Sequence, residues 1–437
     1  MSVEVCLFWF RRDLRLVDNA GLFYALKKEK NVWPVFIFDP SILGLLDSTD
    51  QRVPFIHQTI LGLKQQLQHK KTDLGVFYGP PLEIFQKLKK QIQIKAIYTN
   101  HDYEPSAVAR DGAVQKWAHT ENIEFHSFKD QTIFEKSEVL SDLKKSYTVY
   151  TPYKKKWLAQ LNDFYLKSYP NDLYEHHYLR KFSPEMQVDV PTLEKMGFQA
   201  PQVVYPGTDL SASLLKKYAE QRDFPALDQT SKLGLHLRFG TVSVRELARE
   251  GKKHSDVWLS ELIWRDFFMQ ILWHYPHVVQ KSFRKEYDQI AWRDSKDDFE
   301  KWCQGQTGYP LVDAGMRELN ETGHMHNRVR MVVASFLTKH LLIHWYQGER
   351  YFAKKLLDYD LSANNGNWQW AAGTGCDAAP YFRVFNPTAQ LEKFDPELKY
   401  VKHWVPEYGT TKYVRPMVEH TFARDRALKE YKKGLGK

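Results

Sequence analysis

The sequence predicts an α/β domain followed by an all-α one, and three observations predict it. Short apolar runs alternate with amphipathic stretches over roughly the first 128 residues. Beyond about residue 207 the strand-like runs fade and apolar residues recur at helical spacing. A length of 437 residues supports two to three domains with buried cores.

The apolar runs Val3–Phe10, Val32–Phe38, Leu74–Tyr78, Ala96–Thr99 and Ile123–Phe128 are the expected strands. Helical patterns such as Pro54–Gln68 and Leu82–Gln91 lie between them. Strand and helix alternating at this spacing predict a doubly wound, Rossmann-like parallel α/β domain over residues 1–130. No GxGxxG follows the first strand. Arg11-Arg12-Asp13 stands there instead, so nucleotide binding of the NAD type is not supported. Residues 131–200 hold the basic run Lys154–Lys156, several Tyr, and Pro at 152, 170, 184 and 191, and are expected to form a long connection with short helices. Residues 201–437 are the expected helical domain, with helices over 209–221, 242–250, 256–274, 310–320, 326–346 and 349–357. No internal repeat or low-complexity stretch is evident.

Charge and composition narrow the function classes. Lys+Arg total 62 against 53 Asp+Glu, a formal +9 that is compatible with a polyanionic partner such as nucleic acid, and equally with simple solubility. Three Cys, at 6, 303 and 376, form no CxxC pair, which argues against disulfides and thiolate metal sites and for a reducing compartment. The opening MSVEVCLFWFRRDLRL lacks the charge and apolar pattern of a signal peptide, and no apolar run approaches the ~18 residues of a membrane helix.

The stretch from 358 to 375, DYDLSANNGNWQWAAGTG, crowds three Asn, two Asp and two Trp beside small residues. Small residues admit a flat ligand, Asp and Asn fix its polar edge, and Trp supplies a stacking face or an electron relay. The stretch therefore reads as the wall of a pocket for a planar, redox-capable molecule. Asp360, Asn364 and Trp368 are spaced by four, with Gly366 a candidate break in that helix. Trp258, Glu261, Arg265 and Phe268 share one helix face with Trp264 at its edge, and a Glu261–Arg265 pair is the plain alternative there. Asn327, Arg330 and Met331 share another face, with Arg328 pointing elsewhere. Thr230-Ser231 is either a phosphate-holding turn or a helix cap. His340 and His344 have i,i+4 spacing but no third ligand, and read as ordinary helix histidines with no metal.

Taken together these segments resemble the photolyase/cryptochrome flavoproteins. FWFRRDLRLVDN, TSKLG, ELIWRDF, GQTGYPLVDAGMREL, MHNRVRM, DYDLSANNGNWQWAAGTG and DAAPYFRVFNP occur in that family's order and cover nearly the whole chain. The resemblance implies FAD, held folded in the helical domain by Tyr218, Thr230, Ser231, Lys232, Leu233, Gly234, Trp258, Arg265, Asn327, Arg330, Asp358, Tyr359, Asp360 and Asn364. Asn364 matches the residue that faces the flavin N5. Trp368, Trp345 and Trp292 match the family's electron relay. Gly234 stands where many relatives carry Ser, and Tyr359 where Gly is usual.

The resemblance is greatest to class I cyclobutane pyrimidine dimer photolyases. Glu261, Trp264 and Trp370 match residues lining their dimer pocket, and Asn327 and Met331 stand where (6-4) enzymes place His. Glu261, Asn327 and Asn364 are the expected catalytic residues. Arg222, Arg328, Arg383 and Gln390 match positions at the DNA backbone. The implied activity is light-driven lyase repair of UV-damaged DNA, with reduced FAD lending one electron to a flipped-out dimer. A blue-light photoreceptor without repair is the alternative. The chain ends at Lys437 soon after VEHTFARDRALKEY, so the long tail usual in signalling members is not expected. A second, antenna chromophore is open. Tyr103-Glu104 is followed by Pro-Ser-Ala rather than Asn-Glu, which makes folate doubtful. A cytoplasmic monomer, drawn to the nucleoid by DNA, is the expected state.

Overall fold

The structure is a computed structural model that describes residues 4–436, so Val3 of the first expected strand lies outside the described residues. The chain forms two compact units, each assembled from separate stretches of sequence. Met1–Glu135, Gln160–Thr208 and Leu233–Glu250 make one; Lys136–Ala159, Asp209–Lys232 and Gly251–Lys437 make the other. Residues 131–200 are thus not one connection but are shared between the units. The reason lies in burial on both sides. Leu179 N donates to the Val32 carbonyl at 2.9 Å, which ties the second half of that segment to the sheet. Tyr150, Tyr153 and Trp157 of the helix Tyr150–Gln160 are buried within the helical unit.

In the first unit β1 (Glu4–Phe10), β2 (Val32–Phe38), β3 (Gly75–Tyr78), β4 (Gln93–Asn100) and β5 (Glu124–Phe128) form a parallel sheet in the order β3-β2-β1-β4-β5. The helices between them are α1 (Ala20–Lys28), α2 (Arg52–His69), α3 (Pro81–Gln91) and α4 (Pro105–Thr120). Six of the seven β1 residues are buried, so both faces of the strand are covered, as a doubly wound sheet requires. Val5, Leu7 and Trp9 pack with Phe85 and Leu88 of α3 and Val114 of α4 on one face. The strand order reverses between β1 and β4, where such folds bind ligands. Here the motif Arg11-Arg12-Asp13 fills that crevice itself. Asn100 Nδ2 donates to Asp13 Oδ2 at 2.6 Å, and Arg12 Nη1 to Glu104 at 2.9 Å and Asp102 at 3.2 Å.

The helical unit is built on α5 (Tyr150–Gln160), α6 (Ala212–Gln221), α7 (Asp256–His274), α8 (Pro310–Thr322), α9 (Asn327–Ser335), α10 (Trp345–Lys355), α11 (Leu361–Ala372), α12 (Pro387–Phe394) and α13 (His420–Gly434). The single helix expected over 326–346 is two helices. α9 widens into a π-turn over Phe336–His340, Leu342 takes a left-handed φ of 54°, and the chain restarts at His344, whose side chain caps α10 through Tyr346 N at 3.1 Å. His340 and His344 therefore do not share a helix face. Burial pushes His340 down to about 3, and its Nε2 lies 2.8 Å from His420 Nδ1. The π-turn also brings Lys339 into the core. Its Nζ donates to the carbonyls of Ala372 (2.9 Å) and Tyr381 (3.1 Å) and lies 4.0 Å from the Tyr431 ring centre. Burial lowers this amine to about 7.

Gly366 does not break α11, which runs unbroken from Leu361 to Ala372. It is needed for packing, because a Cβ there would fall 2.1 Å from Cδ1 of Phe268 on α7. Alanine in place of a mid-helix glycine gains about 0.5–1 kcal/mol, whereas overpacking costs about 1–3 kcal/mol. Gly366→Ala is therefore expected to lower the urea unfolding midpoint; a raised midpoint would show that α7 and α11 separate at little cost.

Candidate active site

Asn327, Arg330, Asp358, Asp360 and Asn364, five of the polar residues singled out in the helical half, converge on one cavity. α9 lines it with Asn327, Arg330, Met331 and Ala334, the spacing of one helix face. α11 adds Ala363, Asn364, Asn367, Trp368 and Ala371 at the same period, with Trp370 beside them. Asp358, Tyr359 and Asp360 come from the turn before α11, and Phe352 and Leu356 from α10 and its end.

Three of the polar groups are held in place by partners of their own. Arg330 Nη2 pairs with Asp358 Oδ2 at 2.9 Å while its Nε donates to the Met325 carbonyl at 2.7 Å. Asp360 caps α11, accepting from the backbone N–H of Ser362 (3.1 Å) and Ala363 (3.3 Å). Asn364 Nδ2 donates both to the Glu349 backbone carbonyl (3.1 Å) and to its side-chain Oε1 (2.9 Å). Small side chains and flat rings line the apolar surface, and amides, carboxylates and one guanidinium line the edge. The donor set and shape fit the expected flavin, a planar ring system with a polar edge.

Glu349 was not among the residues expected from the sequence. It is 3% exposed, and burial raises its carboxyl to about 7, partly opposed by the bond from Asn364. The signal was present as a lone acid in register with Trp345 and Phe352 on an otherwise apolar face of α10.

A second group gathers where α6 meets α7. Arg222, the residue that ends α6, ion-pairs with Glu261 of α7, so Glu261 has a partner other than the Arg265 weighed from spacing. Burial raises the Glu261 carboxyl, against the pull of Arg222. Asp223 lies 3.9 Å from Arg222 Nε and 2.8 Å from Arg328 Nη2, linking the two arginines. The Arg328 guanidinium lies 4.4 Å from the ring centre of Phe394, and Tyr218 lies under Arg222 at 5.8 Å. Trp264 stacks on Tyr150 with ring centres 3.5 Å apart and planes 4° from parallel. Trp370 lies 6.5 Å from the Phe385 ring, Arg383 is exposed, and Gln390 is half-buried on α12.

The TSKLG segment is divided. Trp258 Nε1 donates to Ser231 Oγ at 3.4 Å, which brings these two expected cofactor residues together. Thr230 and Lys232 line a separate open cavity of about 820 Å3 with His326, Tyr400 and Trp404. Lys232 has a left-handed φ of 50° and pairs with Asp228 at 2.7 Å. Leu233 and Gly234 open the short helix Gly234–Phe239 and belong to the other compact unit. Arg265 sits half-buried on α7.

Trp368, Trp345 and Trp292 belong to one packed cluster. Trp368 lines the cavity at 2% exposed, Trp345 is 1% exposed, and Trp292 is half-buried at the cluster's edge. His344 bridges the outer two, with ring centres 5.2 Å from Trp292 and 5.6 Å from Trp345. Sequence reasoning missed Trp302, fully buried, whose ring lies 6.1 Å from Trp368 and 5.7 Å from Tyr351. Among the described residues no group of three or more His, Cys, Asp or Glu is placed to hold a metal, and no helix is long and apolar enough to cross a membrane.

Two family profiles match the chain. One, described as DNA photolyase, matches residues 6–172; the other, the FAD binding domain of DNA photolyase, matches residues 258–411. The deoxyribodipyrimidine photo-lyase of a Synechococcus strain is 37% identical over 92% of this chain and 87% of its own. The crystal structure of a class III photolyase from Agrobacterium tumefaciens superposes with a TM-score of 0.88 at 31% identity, over 100% of this chain and 99% of that one. An archaeal photolyase from Sulfolobus tokodaii, solved with two FAD molecules and discussed as having a novel light-harvesting cofactor, gives 0.85 at 35% identity, over 98% and 99%.

Proposed function

The chain belongs to the DNA photolyase family and is a light-driven, FAD-dependent DNA repair lyase, and on that premise we propose which of its side chains perform the repair of cyclobutane pyrimidine dimers. The observation that supports this most strongly is the cavity in which Asn327, Arg330, Asp358, Asp360 and Asn364 meet Trp368 and Trp370. Asn327, Arg330, Asp358, Tyr359, Asp360 and Asn364 would hold the flavin and ribose side of FAD. Tyr218, Thr230, Ser231, Lys232, Leu233, Gly234, Trp258 and Arg265 would complete the seat. When bound and reduced, FAD supplies light absorption and one electron, recovered at the end of the cycle.

The protein's part is orientation and electrostatics. Trp264 and Trp370 offer flat apolar faces to a dimer turned out of the helix, a move that costs least for a damaged pair. The half-buried Glu261, ion-paired with Arg222, is placed to hydrogen-bond the dimer bases as negative charge develops on them. Met331 and Asn327 pack beside the lesion. Arg222, Arg328, Arg383 and Gln390 take the phosphates on either side, and the basic excess favours that polyanion. Trp368, Trp345 and Trp292 carry electrons between the cavity and the surface. The protein acts as a cytoplasmic monomer that associates with the nucleoid through DNA.

An absorption spectrum of the purified protein, followed by illumination with dimer-containing oligothymidylate, tests this reading. Bound flavin and light-dependent recovery of thymine absorbance are expected. Flavin without recovery would overturn the assignment of the dimer as substrate.

A further inference from the structure

Four charged side chains of the helical unit form a row that alternates in sign. Glu261 ion-pairs with Arg222, Asp223 lies 3.9 Å from Arg222 Nε, and the same Asp223 oxygen lies 2.8 Å from Arg328 Nη2. Neither helix end favours the charge it carries in the last pair. Asp223 sits just past the C-terminal end of α6, where exposed carbonyls repel an acid, and Arg328 stands in the first turn of α9, where the helix dipole repels a cation. The Arg328 guanidinium lies over the Phe394 ring, which leaves its edge donors for an anion, the geometry that suits a carboxylate and a phosphate alike. The Asp223 side chain is 36% exposed against 18% for Arg328, so the acid is the partner freer to move.

We propose that Asp223 is a specificity-determining residue, an internal stand-in for phosphate that occupies Arg328 until Glu261 leaves Arg222 for a dimer, and that then passes to Arg222 and releases Arg328 to the DNA backbone. This rests on the dimer reading of Glu261 given above. Undamaged DNA offers Glu261 no flipped base, so Arg222 stays paired. Asp223 then has no vacated cation to move to, and a phosphate must displace it unaided. A dimer that draws Glu261 away leaves Arg222 short of a partner, with the Asp223 carboxylate already 3.9 Å from its Nε. A guanidinium has five N–H donors, enough for Asp223 and a phosphate together. Recognition of the bases and grip on the backbone are thereby coupled through one acid. Non-specific affinity, which a chain of formal charge +9 has through its basic excess, is held down at the position where it competes with the lesion.

The test is the affinity for two matched duplexes, one undamaged and one carrying a single thymine dimer, measured in the dark by fluorescence anisotropy over a series of salt concentrations. Asp223→Asn keeps the size and the acceptor oxygen of the side chain and removes its charge. It is expected to tighten binding to the undamaged duplex about fivefold and to steepen the salt dependence there by about one ion. Binding to the dimer duplex is expected to change by less than about twofold, so the preference for damage falls. Asp223→Ala, which also removes the acceptor, is expected to act in the same direction, and it is read in place of Asp223→Asn should that variant fail to retain flavin. In an Arg328→Gln background, Asp223→Asn should add little. An acid that served only to orient Arg328 would give another pattern, with Asn close to the unmodified protein and Ala weaker on both duplexes. That pattern, or equal tightening on the two duplexes, overturns the proposal. An unmodified protein that does not distinguish the duplexes would instead overturn the dimer reading of this face, and the proposal with it.

Discussion

Trp368→Phe is expected to reduce photoreduction of the bound oxidised flavin to background, while repair by protein reduced beforehand stays largely intact. Of the three indoles of the proposed relay Trp368 is the one that lines the cavity, so an electron drawn through that relay passes it. Phe keeps the edge-to-face contact with Phe352 (ring centres 5.0 Å) but is much harder to oxidise than an indole. The packing cost is about 1–2 kcal/mol, well under the ~3–5 kcal/mol of truncating an aromatic to alanine. The fold and the cavity should therefore survive. Flavin bleaching under blue light with an external reductant measures the effect, and dithionite-reduced protein supplies the repair control. Normal bleaching in the variant would remove Trp368 from the path.

Glu261→Ala is expected to lower repair per absorbed photon on the order of tenfold, the effect of losing a charge-assisted hydrogen bond of roughly 1.5–3 kcal/mol at a site of developing charge. Flavin content and photoreduction should not change, because Glu261 is not among the residues lining the flavin cavity. Two effects must be separated. The substitution removes a group aimed at the dimer, and it also frees Arg222 from its ion pair. The freed guanidinium would raise affinity for the DNA backbone while repair falls. Dimer-DNA affinity and repair yield measured on the same variant are expected to move in opposite directions. If both fall together, the pair serves mainly to shape the site. If repair is unchanged, Glu261 takes no part in the chemistry.

Much of this architecture was legible in the sequence for physical reasons. Each of the five apolar runs proved a strand, and β1 and β2 read most plainly because inner strands of a parallel sheet are covered on both faces and so apolar along their length. The cavity-facing residues of α9 and α11 were legible because helical periodicity fixes which side chains share a face. What escaped lay in long-range packing. Gly366 reads as a helix breaker until Phe268 is seen against it. Nothing local distinguishes the left-handed turn at Leu342 from the helix around it, and the break follows from tertiary packing. Glu349 was passed over because its neighbours along the chain are charged and aromatic, and only burial against Asn364 reveals its role. The units draw on non-adjacent stretches because Tyr150 and Trp157 find burial beside Trp264 and Asp266, more than a hundred residues away.

Lys339 has a practical consequence. Most amines of this lysine-rich chain are open to acylating reagents at mildly alkaline pH, but this one is enclosed, with its Nζ bonded to two carbonyls and covered by an aromatic ring. An acylating reagent can reach it only when the core opens. Its modification therefore clocks the opening of α11 away from α13. Mass-spectrometric labelling of that one site, with and without cofactor, would time how often the helical core breathes.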